Sequence, residues 1–340
     1  MIERPSRVVL IAVVASILAV LAPAGALLAR HGGGDAEAAG SHSARTVADA
    51  VPTAVGDVVV GQGDPAGKGA ATPGTPATAA TLPGGRSTVF GGGRFLVAYY
   101  GTAGTGALGV LGKTSPARMQ HQLVRAGRAF ARKGRPVQPV YELIVSIADR
   151  HPGKDGDYSH DITRKQVEPY LRAAHRNNAL LLLDLQTGRS DFLKVAKRWT
   201  WALQDPWVGL ALDPEWRMWH GNVPGQVIGH VGAGEINRTS AWLSRLVASR
   251  RLPQKLFVVH QFRTAMIRHI SRVKQRPGLA LVQHVDGFGT PGEKRATFHA
   301  VARPKRFTLG FKLFYQADVD RMSAKQVFRL RPKVRFVSFQ

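Results

Sequence analysis

The chain has 340 residues, 44% of them hydrophobic and none of them cysteine. That length suits one large packed domain with extensions, and the missing thiol excludes disulfides, thiolate metal sites, a cysteine nucleophile and a lipidated cysteine. The formal net charge of +25 favours a polyanionic neighbour, but the basic residues are spread along the whole chain with no compact run interleaved with aromatics. An anionic membrane or cell-wall polymer fits that pattern, and no specific nucleic-acid partner is expected.

Residues 1–30 read as a targeting segment. Arg4 and Arg7 precede an apolar run at 8–21, and the small residues at 22–26 suit signal peptidase. Apolar character resumes at 27–29, so the whole run is also long enough to span a bilayer. The expectation is export, to the extracellular space or the cell envelope, with the segment either removed or kept as a membrane anchor. Residues 31–86 are rich in alanine, glycine, threonine and proline and sustain no period, which predicts a disordered linker. The folded domain is expected at 87–340.

There, apolar runs predict strands at 95–100, 137–147, 179–185, 208–212, 255–260, 279–285, 309–315 and 334–339. Between them the spacing predicts helices at 115–132 (Ser115 as N-cap, Pro116 at N1), 163–177, 192–203, 234–249, 266–274, 293–301 and 323–329. Eight strands alternating with helices over about 250 residues point to a (β/α)8 barrel of the TIM type. An open doubly wound sheet alternates too, but usually has fewer strands. The barrel ends on strand eight, which must pair with residues 95–100 to close.

Working groups in such barrels sit at the C-terminal strand ends. Those ends offer Tyr99 and Tyr100; Glu142 and Ser146; Asp184 and Gln186; Asp213 and Glu215; His260 and Gln261; His284 and Asp286; and Lys312, Tyr315 and Gln316. Within the stretch 208–216, Asp213 and Glu215 are spaced i, i+2, so a continuing strand would put both on one face with Gly209 and Ala211. Two carboxyls so placed should push each other's pKa apart, one ionised and one protonated. A lone Asp-x-Glu also fits a bland arrangement, with Asp213 capping the next loop and Glu215 paired with an arginine.

Three uses of this polar ring are open. In glycoside cleavage Glu215 would be the general acid, with Asp213, Asp184 or Asp286 as nucleophile or base. A carboxyl separation of about 5 Å would give retention, and roughly 6.5–9.5 Å inversion. Trp216, Trp219 and Trp207 would offer flat faces to sugar rings or simply pack at the mouth. A metal site would use His260, His284, Asp286 and Asp184, but neither a His-x-His on the first strand nor a His-Glu-x-x-His supports it, and no metal or cofactor is expected. The third use is binding without chemistry. Gly104, Gly106 and Gly109 fit a dinucleotide fingerprint without a helix opening on it. Lys113 and Thr114 follow an incomplete phosphate loop, and Asp155, Asp157 and Asp161 lack the spacing of a calcium hand.

Ala98-Tyr-Tyr-Gly-Thr102, Gln138-Pro-Val-Tyr-Glu142, Leu183-Asp-Leu-Gln186, Leu212-Asp-Pro-Glu-Trp216 and Gln283-His-Val-Asp-Gly-Phe288 resemble a group of uncharacterised exported actinobacterial proteins, some labelled lipoproteins. The resemblance covers about residues 94–340 and implies export and a barrel; with no cysteine after the apolar segment, the lipoprotein label does not carry over. More distantly, the strand-end pair is similar to that of chitinase-like and muramidase-like glycosidase barrels. There the Glu protonates the leaving oxygen and the Asp orients or stabilises the charged intermediate, which implies those roles for Glu215 and Asp213. The longer aspartate run of chitinases and a strand-seven glutamate are missing. Tyr99, Tyr100, Glu142, Gln186, Trp216, His260, Gln261, His284, Lys312 and Tyr315 complete the expected pocket, with an envelope or extracellular polysaccharide as substrate.

Overall fold

The computed structural model describes residues 79–340; the predicted targeting segment and most of the predicted linker lie outside them. Eight apolar stretches form parallel strands: β1 (Phe95–Gly101), β2 (Val137–Ala148), β3 (Leu180–Leu185), β4 (Val208–Leu212), β5 (Lys255–Gln261), β6 (Leu279–Val285), β7 (Thr308–Leu313) and β8 (Val334–Phe339). They are buried on both faces, which is why they read as near-continuous apolar runs rather than as alternation. Each strand pairs with the next in sequence, and β8 returns to β1 with Leu96 beside Phe336 and Tyr99 beside Phe339. The sheet is therefore closed, and the domain is a (β/α)8 barrel.

The surrounding helices are α1 (Pro116–Gly127), α2 (Arg164–Arg176), α3 (Phe192–Arg198), α4 (Thr200–Leu203), α5 (Ala233–Ser249), α6 (Pro291–Val301) and α7 (Ala324–Arg329). Their starts are written in the sequence. Thr163 with Gln166, Thr290 with Glu293 and Ser323 with Gln326 form capping boxes, and the Asp191 carboxylate accepts from the Leu193 N–H at 2.8 Å. The helix predicted at 192–203 is interrupted at Trp199, whose indole N–H donates to Ser146 Oγ at 3.2 Å.

The helix predicted at 266–274 does not form. Two 3-10 turns, Thr264–Met266 and Ile270–Arg272, flank a short strand, Ile267–Arg268, that pairs with Val231–Gly232. The β-branched Ile267 is buried in that pairing, and His269 takes a left-handed φ of 55° that a continuing helix does not allow.

Inside the barrel, alternate residues build an apolar lower layer in which Ala98, Val140, Leu182, Ala211, Val258, Val282 and Phe336 meet. Leu82 and Val89 join this cluster from below, and Gln254 accepts from the Val89 N–H at 2.9 Å. Among the described residues, packing thus already includes Leu82, within the stretch that composition groups with the linker. On the outer side, Lys294 of α6 is fully buried. Its ammonium donates to the carbonyls of Gly287 at 2.6 Å and Lys312 at 2.9 Å, and pairs with Asp318 at 2.9 Å. Among the described residues no helix is long and apolar enough to cross a membrane.

Candidate active site

The inward alternation of the lower layer continues two residues further up each strand and there turns polar. Tyr100 of β1 lies beside Glu142 of β2, His260 of β5 beside His284 of β6, and Lys312 of β7 beside Ser338 of β8. Asp184 of β3 and Asp213, just after β4, complete the ring. All of these side chains are buried, in a shell where a charge survives only with a partner.

His260 is the hub. Its Nδ1 lies 2.6 Å from Asp286 Oδ2, while its Nε2 lies 3.1 Å from both Glu142 Oε1 and Asp184 Oδ2. Asp286 is gripped from three sides: His284 Nδ1 reaches its other oxygen at 2.7 Å, and Lys312 Nζ lies 3.2 Å from Oδ2. The Lys312 ammonium also sits 3.7 Å from the Tyr100 ring centroid, a cation–π contact within a desolvated site. Tyr100 in turn donates its hydroxyl to Asp213 Oδ2 at 3.3 Å and accepts from Gln186 Nε2 at 3.2 Å.

These contacts divide the carboxyls into two groups. Burial works to raise Asp286, but the positive charges of His260 and Lys312 with the imidazole hydrogen bonds hold it well below the usual range. Burial likewise opposes the ionised Glu142, yet the His260 imidazolium 3.1 Å away keeps it low. For His260 burial favours the neutral ring, and the Asp286 charge, with Asp184 3.1 Å from Nε2, overcomes it, so the imidazolium persists far above its ordinary value. Asp213, by contrast, is pushed well up by burial and by the neighbouring Glu215 and Asp184. Glu215 is raised to about 7, by burial first and then by Asp286 and Asp184 acting against Lys312 and His260.

This differs from the expectation that Asp213 and Glu215 split their pKa values. Both move up, because the cations of the site are already matched to Glu142 and Asp286. Nor does strand alternation bring the pair together. β4 ends at Leu212, and Pro214–Trp216 is a 3-10 turn opened by Pro214. Glu215 is half-buried at the mouth. The nearby Arg217 is committed elsewhere, to the buried Glu235 of α5 at 3.0 Å, and among the described residues Glu215 has no basic partner.

The structure thus gathers Tyr100, Glu142, Asp184, Gln186, Asp213, Glu215, His260, His284, Asp286 and Lys312. Tyr99 and Tyr315 do not join them: Tyr99 faces the helical layer and Tyr315 is exposed, their hydroxyls 3.1 Å apart. Gln261 faces outward too, and accepts from Gln283 Nε2 at 2.6 Å. Trp216 is buried, whereas Trp219 is 41% exposed on the same loop, its indole N–H donating to the His230 carbonyl at 2.8 Å. Trp207 lies at the opposite end of the barrel, stacked on His175 at 4.3 Å. Asp157, from the discounted acidic loop, accepts from Ser159 N and Ser190 Oγ, both at 3.0 Å.

Sequence reasoning missed two inward positions, Ser338 and Gly310; both follow from counting alternate residues along β8 and β7. At Gly310 an added Cβ would run into the His284 ring. Gly310→Ala is therefore expected to cost about 1–3 kcal/mol, read by chemical denaturation, through displacement of His284 from Asp286. A neutral substitution would mean that the ring has room to move.

No family model matches this chain, and no curated protein matches it.

Proposed function

We propose that the domain is a glycoside hydrolase-like enzyme acting on an envelope or extracellular polysaccharide after export, with Glu215 as general acid. One observation carries the reading: Glu215 is a half-buried carboxyl held beside a ring of buried acids and, among the described residues, in no direct ion pair. A pKa raised to about 7 keeps a large fraction protonated near neutrality, as proton donation to a leaving oxygen requires. Asp286, anionic and only 6% exposed, supplies the negative charge that an oxocarbenium-like transition state calls for. Asp213 and Tyr100 orient the substrate from below.

The test is reducing-end release by the purified full chain from bacterial envelope polysaccharides, set against Glu215→Gln. Release that depends on Glu215 supports the reading. No release from any polymer by folded protein, or release indifferent to Glu215, removes it.

A second reading, a non-catalytic binder of anionic wall polymer, is favoured by a different observation. At the end opposite the mouth, Arg132, Lys133, Arg135, Lys325, Arg329, Arg331 and Lys333 line one depression, with Arg132 4.1 Å over the Phe328 ring. Two segments far apart in sequence thus form a basic patch that no linear run reveals. This reading predicts retention on teichoic-acid-bearing walls that weakens as salt rises, survives Asp213→Asn with Glu215→Gln, and is lost when Arg132, Lys133 and Arg135 become glutamate. Salt-independent retention in a pull-down would remove it.

A further inference from the structure

We propose that Glu142, Asp184 and His260 form a binding site for one first-row divalent cation, beneath the mouth and distinct from Glu215. The three side chains are fully buried, and among the described residues both oxygens of each carboxyl and His260 Nε2 have no aligned hydrogen-bond partner. Five such atoms in one spot are costly unless something else satisfies them. His260 Nε2 is 3.1 Å from Glu142 Oε1 and 3.1 Å from Asp184 Oδ2, and the three ligand atoms lie within 4.8 Å of one another. Donors bound about 2.0–2.2 Å from a common ion are themselves separated by roughly 3.0–3.6 Å, so the spacing is that of ligands around an ion.

The other side of the same ring serves as a control. Around Nδ1 the distances to Asp286 fall to 2.6 Å, and from Asp286 to His284 Nδ1 to 2.7 Å, both with hydrogen-bond geometry. Those separations are too short for two ligands of one ion and right for direct hydrogen bonds. Asp286 is thus the outer carboxylate that accepts the hydrogen bond of Nδ1–H and turns Nε2 toward Glu142 and Asp184, the arrangement that supports metal-bound histidines generally. The ion displaces the Nε2 proton of the His260 imidazolium to solvent, and with the ring then neutral, the two charges of the ion and that of Lys312 balance Glu142, Asp184 and Asp286. The imidazole nitrogen favours zinc over calcium or magnesium, and Mn²⁺ serves as the paramagnetic probe of the same oxygen ligands. The site does not depend on the glycosidase reading, and its test reads binding rather than turnover.

The full chain, freed of metal by chelator and dialysed, is titrated calorimetrically with Zn²⁺ and separately with Mn²⁺. One ion per chain is expected, together with a raised Tm. Glu142→Gln combined with Asp184→Asn should abolish both effects. Asp286→Asn should weaken binding about 10–100-fold, and His284→Gln should leave the stoichiometry intact. If the double variant fails to fold, pulsed EPR of Mn²⁺ on the unaltered chain decides, because one directly bound imidazole nitrogen must appear. No stoichiometric ion on folded protein, no nitrogen coupling, or binding indifferent to Glu142 and Asp184 overturns the proposal.

Discussion

Glu215→Gln is expected to lower hydrolysis about 10²–10⁴-fold while leaving the fold intact. The amide keeps the shape of the side chain but has no proton to give. Activity that depends on the protonated acid should fall as pH rises through about 7, and this limb should vanish in the variant. An aryl glycoside whose phenolate leaves without protonation should recover much of the lost rate, which separates proton donation from simple binding.

Stability gives the same residue a second signature. A carboxyl raised from 4.5 to about 7 binds its proton more tightly when folded than when unfolded. Its contribution is fully present below pH 4.5 and is lost as pH climbs to about 7; above that it amounts to a penalty of ~3 kcal/mol for holding the anion in the fold. The glutamine variant escapes this penalty. Its Tm should match the parent near pH 4.5 and exceed it at pH 8, the pattern of an active-site group retained at the expense of stability. Equal Tm values at both pH values would place Glu215 in ordinary solvent.

Lys294→Ala is expected to destabilise the domain by about 3–5 kcal/mol, because it strands the Asp318 carboxylate in a fully buried position without its cation. Two carbonyls, of Gly287 and Lys312, lose their donor in the same step. For a domain of this size the Tm should drop by roughly 6–20 °C. Lys294→Ala with Asp318→Ala should recover part of the loss, since the double change removes the unpaired charge. A single variant with unchanged Tm would mean that water reaches Asp318.

The barrel was legible because its strands are covered on both faces and so stand out as apolar runs between capped helices. The polar strand ends were visible for the same reason: each interrupts such a run. Which of two adjacent candidates looks inward was not visible. Tyr99 and Tyr100 are chemically alike, and only the closure of β1 onto β2 and β8 sends one to the helices and the other to Asp213. His260 and Gln261 part in the same way. The sandwich around His260 draws on β2, β3, β5 and the end of β6, too far apart in sequence for local spacing to reveal. The loss of the helix at 266–274 arises from the pairing of Ile267–Arg268 with Val231–Gly232, a contact between distant segments, whereas the turn at Pro214 is local. Lys294 lies in no apolar run, and its buried pairing with Asp318 joins positions that no local spacing links.

The inward-outward parity along each strand acts like a reading frame. Inserting or deleting one residue within β5 would exchange His260 for a neighbouring side chain and aim the imidazole at the helices. Sequence drift compatible with this chemistry must therefore proceed by point replacement along the staves, while changes of length are confined to the connecting segments. A homologue with a one-residue gap inside β2, β3 or β5 should keep the outer shape of the barrel and lose the ring of charges within it.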